Sequence, residues 1–106
     1  MRPIQKSLLI HTITYVKETE DEWGKKTKEE TIVEKVRVEP KKFYIQRADG
    51  DKLVNGDLIF WDNYYSTPCE FEPKQKIIFN GEEKTIEKID WLYDRSKLHH
   101  LEIKVI

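Results

Sequence analysis

The chain holds a single cysteine, Cys69, in 106 residues, which excludes an intrachain disulfide and fits a reducing compartment or a structure assembled inside a cell before release. No apolar run approaches the roughly 18 residues that a membrane span requires. The start Met1-Arg2-Pro3-Ile4-Gln5-Lys6-Ser7 lacks the apolar stretch and cleavage site of a secretion signal, so synthesis in the cytoplasm and no membrane contact are expected. Charge of one sign is also missing. Nineteen basic residues against twenty acidic give a formal net charge of −1, which removes any general electrostatic drive toward nucleic acid or anionic lipid.

What is present suffices for one core. Hydrophobic residues make up 38% and aromatics 11%, with Trp23, Trp61 and Trp91 spread along the chain. A chain of this length buries roughly two-thirds of the surface it exposes when unfolded, enough for a single domain over residues 1–106 that folds without metal or disulfide.

The apolar pattern has the period of strands. Leu8 to Val16 is dense in β-branched and aromatic residues and reads as a long first strand, with Ile10 and Ile13 of opposite parity asking for a bulge or cover on both faces. From Lys17 to Glu30 ten of fourteen positions are charged, the pattern of a mobile charged loop or a projecting hairpin. Ile32, Val36 and Val38 share one parity, a half-buried strand expected to stop at Pro40. Lys41 to Gln46 reads as a further short strand. Asp49-Gly50 and Asn55-Gly56 read as turns, and Ala48 to Asp57 leaves room for one helical turn. The run Leu58-Ile59-Phe60-Trp61 implies cover on both faces.

Asn80-Gly81, flanked by Lys76-Ile77-Ile78-Phe79 and a second β-rich stretch, supplies the two positive-φ positions of a type I′ hairpin turn. In the return strand Ile86 and Ile89 lie three apart, which together with the parity of Ile89, Trp91 and Tyr93 predicts a bulge near Lys88. Leu101, Ile103 and Val105 alternate with His100, Glu102 and Lys104 as a last strand. Five or six strands on short turns predict an all-β fold, a small antiparallel β-barrel or sandwich with a long charged loop at residues 17–30.

Signatures of chemistry are weak. Nothing like a nucleophile elbow surrounds Cys69, which reads as a small buried hydrophobe. His99 and His100 are neighbours on a strand and are expected on opposite faces, His100 outward beside Glu102 and His99 with Leu101 and Ile103, so they make a poor metal pair; a site built with His11 and Cys69 lacks the close ligand spacing of zinc sites. Asp49-Gly50-Asp51 has a calcium-loop look, but Val54 and Phe60 occupy the positions where that motif needs Gly and Glu. No catalytic residue, metal or cofactor is expected. Phe60, Trp61, Tyr64, Tyr65 and Phe71 have the faces to stack bases, which keeps an OB-like module for single-stranded nucleic acid as the alternative reading. Without a matching excess of Lys and Arg, packing or partner contact is preferred. Trp23, the residue type most enriched at binding hot spots, stands alone among charges with Gly24, Lys25 and Lys26. These four, with Trp61, Tyr64 and Tyr65, are the candidate protein-contact residues.

Taken in order, Arg2-Pro3-Ile4 through Leu8-Leu9-Ile10-His11-Thr12, Val36-Arg37-Val38-Glu39-Pro40, Leu58-Ile59-Phe60-Trp61-Asp62-Asn63, Ser66-Thr67-Pro68, Lys76-Ile77-Ile78-Phe79-Asn80-Gly81, Ile89-Asp90, Tyr93-Asp94 and Leu98-His99-His100-Leu101-Glu102-Ile103 resemble the minor capsid proteins encoded in the head gene cluster of tailed phages and prophages of Gram-positive bacteria. That family is similar in size and strand pattern to the head-closure, or stopper, proteins of long-tailed phages. The resemblance implies a structural, non-enzymatic virion protein at the head-tail junction, made in the host cytoplasm. Its implied partners are portal, adaptor and tail proteins and further copies in a ring, with no specific nucleic-acid binding beyond contact with packaged DNA. Edges at Leu8 to Val16 and Leu101 to Ile106 are expected to supply pairing surfaces, and residues 17–30 to reach a neighbour.

Overall fold

The computed structural model describes residues 4–106, so Arg2 and Pro3 of the opening motif lie outside the described residues. Six antiparallel strands follow a short 3-10 turn at Lys6–Leu8: β1 His11–Glu20, β2 Lys26–Arg47, β3 Gly50–Asp62, β4 Lys76–Phe79, β5 Glu82–Asp94 and β6 Lys97–Val105. They form one sheet in the order β1-β2-β3-β6-β5-β4, which closes on itself through three pairs, Thr14 with Ile78, Tyr15 with Ile77 and Val16 with Lys76. Inside the ring, Ile13, Val33, Val36, Ile59, Ile86, Leu101 and Ile103 are almost fully buried. Each such side chain contributes about 1.5–3 kcal/mol relative to leaving it in water.

Closure overturns one expectation. Leu101 to Val105 is not a sheet edge, because β6 is flanked by β3 and β5, and of the stretch Leu8 to Val16 the residues Thr14, Tyr15 and Val16 are flanked by both β2 and β4. The first strand also begins three residues late and runs four residues further, to Glu20, since the 3-10 turn takes Leu8 out of the sheet.

Several local signals are realised. Asn80 and Gly81 adopt φ of 51° and 78° and join β4 to β5 as the Asn-Gly pair predicts. On β5, Ile86 faces Val105 and Lys88 faces Lys104, so Glu87 is an extra residue whose bulge turns Ile89 toward the core that Ile86 already occupies. Trp91 and Tyr93, of the same parity, are left largely exposed.

The second strand departs most from its pattern. His11 faces Val36 and Thr12 faces Glu34, so Lys35 is an extra residue, held at a φ of 58°. That conformation costs an L-residue about 1–2 kcal/mol, and its effect is a change of face. Val33 and Val36 both point inward, and Ile32, expected beside Val36 in the core, is 63% exposed.

The strand does not stop at Pro40. The N–H of Val38 points to the β1 side, where it donates to His11 Nδ1 at 2.9 Å. Two residues on, the Pro40 nitrogen faces the same way, beyond the end of β1, so its missing N–H removes no ladder bond. The strand therefore continues through the segment read as a separate short strand.

Across the hairpin, Ala48-Asp49 is the turn. Asn55-Gly56 is not a turn and residues 50–57 hold no helical turn; both lie in β3, opposite Lys42 and Lys41. Gly56 is there because a Cβ would stand 2.3 Å from the Val105 carbonyl oxygen.

With 22 residues at roughly 3.3 Å each, a straight β2 would exceed 70 Å, whereas the molecule measures 42 × 38 × 30 Å. The Lys35 bulge and the sheet's coil bend it. From Val36 the strand serves two ribbons: backward it pairs with β1 as far as Lys26, and forward with β3 as far as Arg47. Beyond Val16 on one side and Asp57 on the other, each ribbon leaves the closed sheet as a two-stranded arm. The radius of gyration, 15.0 Å, exceeds the about 13 Å of a compact chain of this length by what such arms add.

Candidate assembly surface

The first arm spans the segment that the sequence marks as charged. Its two strands are in register from Lys17 opposite Glu29 to Glu20 opposite Lys26, with Glu18 and Lys28 3.5 Å apart. Asp21 builds the tip: its Oδ1 accepts the N–H of Trp23 at 2.9 Å and of Lys25 at 2.8 Å, its own N–H donates to the Lys25 carbonyl, and Gly24 takes the positive φ, 78°, that the tight reversal needs. The backbone is thus held while the Trp23 side chain stands 85% exposed, between exposed Lys25 and Lys26. An indole of that size in water is costly unless a partner covers it.

The arm's base is braced by the loop from Asn63 to Gln75. Gln75 offers its side-chain amide to the free edge of β1 as a strand would, Oε1 accepting the Glu18 N–H at 2.9 Å and Nε2 donating to the Glu18 carbonyl at 3.2 Å. Lys17 and Glu72 pair at 3.3 Å. The Tyr15 hydroxyl accepts the Glu72 N–H at 3.1 Å; burial pushes that phenol's pKa up, partly offset by this bond. Thr67 pairs with Glu34 in both directions, and Ser66 Oγ donates to the Lys35 carbonyl, tying the loop to the bulge.

Asp62 holds the loop's start. It is fully buried, and its carboxylate accepts three backbone N–H groups at 2.9 Å, from Ile4 at Oδ1 and from Tyr64 and Tyr65 at Oδ2. Such charge-assisted bonds are roughly twice as strong as neutral ones. They fix the two tyrosines edge to face, with centroids 4.8 Å apart and Tyr64 75% exposed. Trp61 differs from the other candidates: it is buried in the core, its Nε1–H donates to the Thr67 carbonyl at 2.8 Å, and its ring meets Phe71 edge-on. Its side chain packs in the core and leaves 6% of its surface exposed. Sequence reasoning passed over Asp62, although an Asp that follows an apolar strand is well suited to bond backbone N–H groups two or three residues on.

The second arm, residues 40–57, was also missed as a surface. Tyr44 and Leu53 lie directly opposite one another on it and are 73% and 47% exposed. Counting outward from the observed Ala48-Asp49 turn pairs these two residues, whereas the Asp49-Gly50 turn read from the sequence would have set Tyr44 opposite Asn55. At the arm's root Lys84 Nζ meets Asp57 Oδ2 at 2.5 Å, and that bond raises the lysine's pKa. Lys104 lies 4.5 Å above the Phe43 ring.

The potential chemical groups are dispersed. Burial pushes the Cys69 thiol up to about 11, so it is protonated near neutral pH. His11 is engaged with Val38 and lies edge-on to Phe79. His99 and His100 do not diverge as strand neighbours should: their Nδ1 atoms approach to 2.6 Å, and His100 Nε2 is 3.0 Å from Glu102. Nor is His100 on an exposed face, since its ring tilts against Phe60. Among the described residues no group of three or more His, Cys, Asp or Glu is arranged to hold a metal ion.

Compared with known proteins, residues 5–105 match the family described as minor capsid protein. No curated protein matches the chain.

Proposed function

Since the chain belongs to the minor capsid protein family, and so has a structural role in a phage virion, we propose that it acts at the head-tail junction as a head-closure component. In this reading it contacts portal or adaptor proteins on one side and tail proteins on the other, and its copies form a ring. Contact with packaged DNA is incidental and reads no sequence. The observation that carries the proposal is the first arm: a hydrogen-bonded, braced ribbon that holds one bare tryptophan clear of a closed sheet. Closure hides most strand edges from indiscriminate pairing, so contacts pass through the arms and the Tyr64-Tyr65 loop, where specificity resides in side chains.

Cryo-electron microscopy of virions tests it. Density for this chain between portal and tail, with residues 17–30 against a neighbour, is the expected result. Absence from particles, or a position on the outer capsid surface, overturns the junction role.

A further inference from the structure

The two arms differ in charge in a way that suits one to the other. Residues 17–22, the β1 side of the first arm, carry Glu18, Glu20, Asp21 and Glu22 against the single Lys17, a net of −3. Residues 40–47, the β2 side of the second arm, carry Lys41, Lys42 and Arg47 and no acid, a net of +3. All of these side chains except Lys17 are exposed, and among the described residues no ion pair involves Lys41, Lys42, Arg47, Glu20 or Glu22. Each stretch also has an edge with no strand against it: β1 has none on its β4 side past Val16, where the Gln75 side chain covers Glu18 alone, and β2 has none on its β1 side past Val36. The two lysines oppose pairing of that β2 edge with uncharged or basic strands, and an acidic strand is the partner they admit.

We propose that the acidic edge Lys17 to Glu22 of one copy binds the basic edge Pro40 to Arg47 of a second copy of this chain. This rests on, and deepens, the reading of the protein as a self-assembling junction component. Each arm adds an apolar anchor to the contact, Trp23 at the tip of the first and the Tyr44–Leu53 pair on the second. Because the two edges lie on different arms, the contact joins unlike surfaces, and copies add in series until the series closes.

Sedimentation velocity of the purified full chain, across micromolar to millimolar concentrations and at low and high salt, tests the contact. Wild type is expected to associate with concentration and to dissociate as salt screens the edges. Lys41→Glu with Lys42→Glu, or Glu20→Lys with Glu22→Lys, weakens association on the order of tenfold or more, and mixing the two variants restores it. Asp21 is left intact because it builds the tip. Should either reversal lose the folded circular dichroism spectrum, the Gln replacements at the same positions are expected to give a smaller loss in the same direction. A wild-type chain that stays monomeric, variants that associate as wild type does, or a mixture that stays apart overturns the contact. A chain found in virions but monomeric in solution sinks this inference alone, whereas arm-dependent association by a chain absent from virions sinks the junction role alone.

Discussion

Gly56 lies against the backbone of Val105, so close that a Cβ at position 56 would stand 2.3 Å from the Val105 carbonyl oxygen and 2.7 Å from Ile106 Cγ2. The Ile106 side chain can turn aside, but the nearest atom belongs to the β6 main chain and cannot. Gly56→Ala is therefore expected to destabilise the fold by about 3 kcal/mol, the upper range for overpacking, seen as a lower urea midpoint at unchanged slope. An alanine variant as stable as wild type would refute the close approach.

Asp62 is expected to be intolerant of a substitution that barely changes its shape. In Asp62→Asn one acceptor oxygen becomes an N–H donor facing backbone donors from Ile4 or from Tyr64 and Tyr65. The loss is about 2–3 kcal/mol for bonds to a charged group, with faster amide exchange at Tyr64 and Tyr65. Unchanged exchange at both amides would mean the carboxylate does not hold the loop.

Stability is expected to fall under alkaline conditions. The Cys69 thiol moves from 9.0 to about 11 through burial, the Tyr15 phenol lies above 10.0 chiefly through burial, and the Lys84 ammonium lies above 10.5 chiefly through its bond to Asp57. In each case the folded state holds its proton more tightly. The unfolded chain releases protons first as pH rises, so stability falls from each unfolded pKa up to the folded one and is unaffected below. Tm measured from pH 7 to 11 should be level to about pH 9 and then decline, and Cys69→Ala should delay the onset by about one pH unit because Tyr15 is next to titrate. A decline that Cys69→Ala leaves in place would remove the thiol from this account.

Trp23→Ala should separate folding from assembly. An 85% exposed side chain makes little contact with the core, so Tm should change by no more than the equivalent of about 0.5 kcal/mol. Incorporation into virions, scored by quantitative mass spectrometry of purified particles, should fall at least tenfold if the indole is an anchor worth 2 kcal/mol or more. Normal incorporation would deprive the tip of that role, and a large drop in Tm would place Trp23 in a packed environment.

The all-β class, the Asn80-Gly81 hairpin, the bulge beside Lys88 and the inward face of Leu101, Ile103 and Val105 were determined by sequence alone. They depend on neighbours one to three residues apart, where side-chain alternation and positive-φ turn residues act directly. Tertiary structure decided the rest. Ile32 faces water because β1 lies beside a bulge at Lys35, and Pro40 is accommodated because β1 has already ended. Gly56 belongs to a strand and not a turn because β6 presses against it. Trp61 packs inward because the loop to Gln75 folds over it. Closure of the sheet rests on three residue pairs 60 to 64 residues apart in sequence, Thr14 with Ile78 among them. Which side of a strand has a neighbour is a long-range property, and it alone settles which edges and which aromatic side chains remain for a partner.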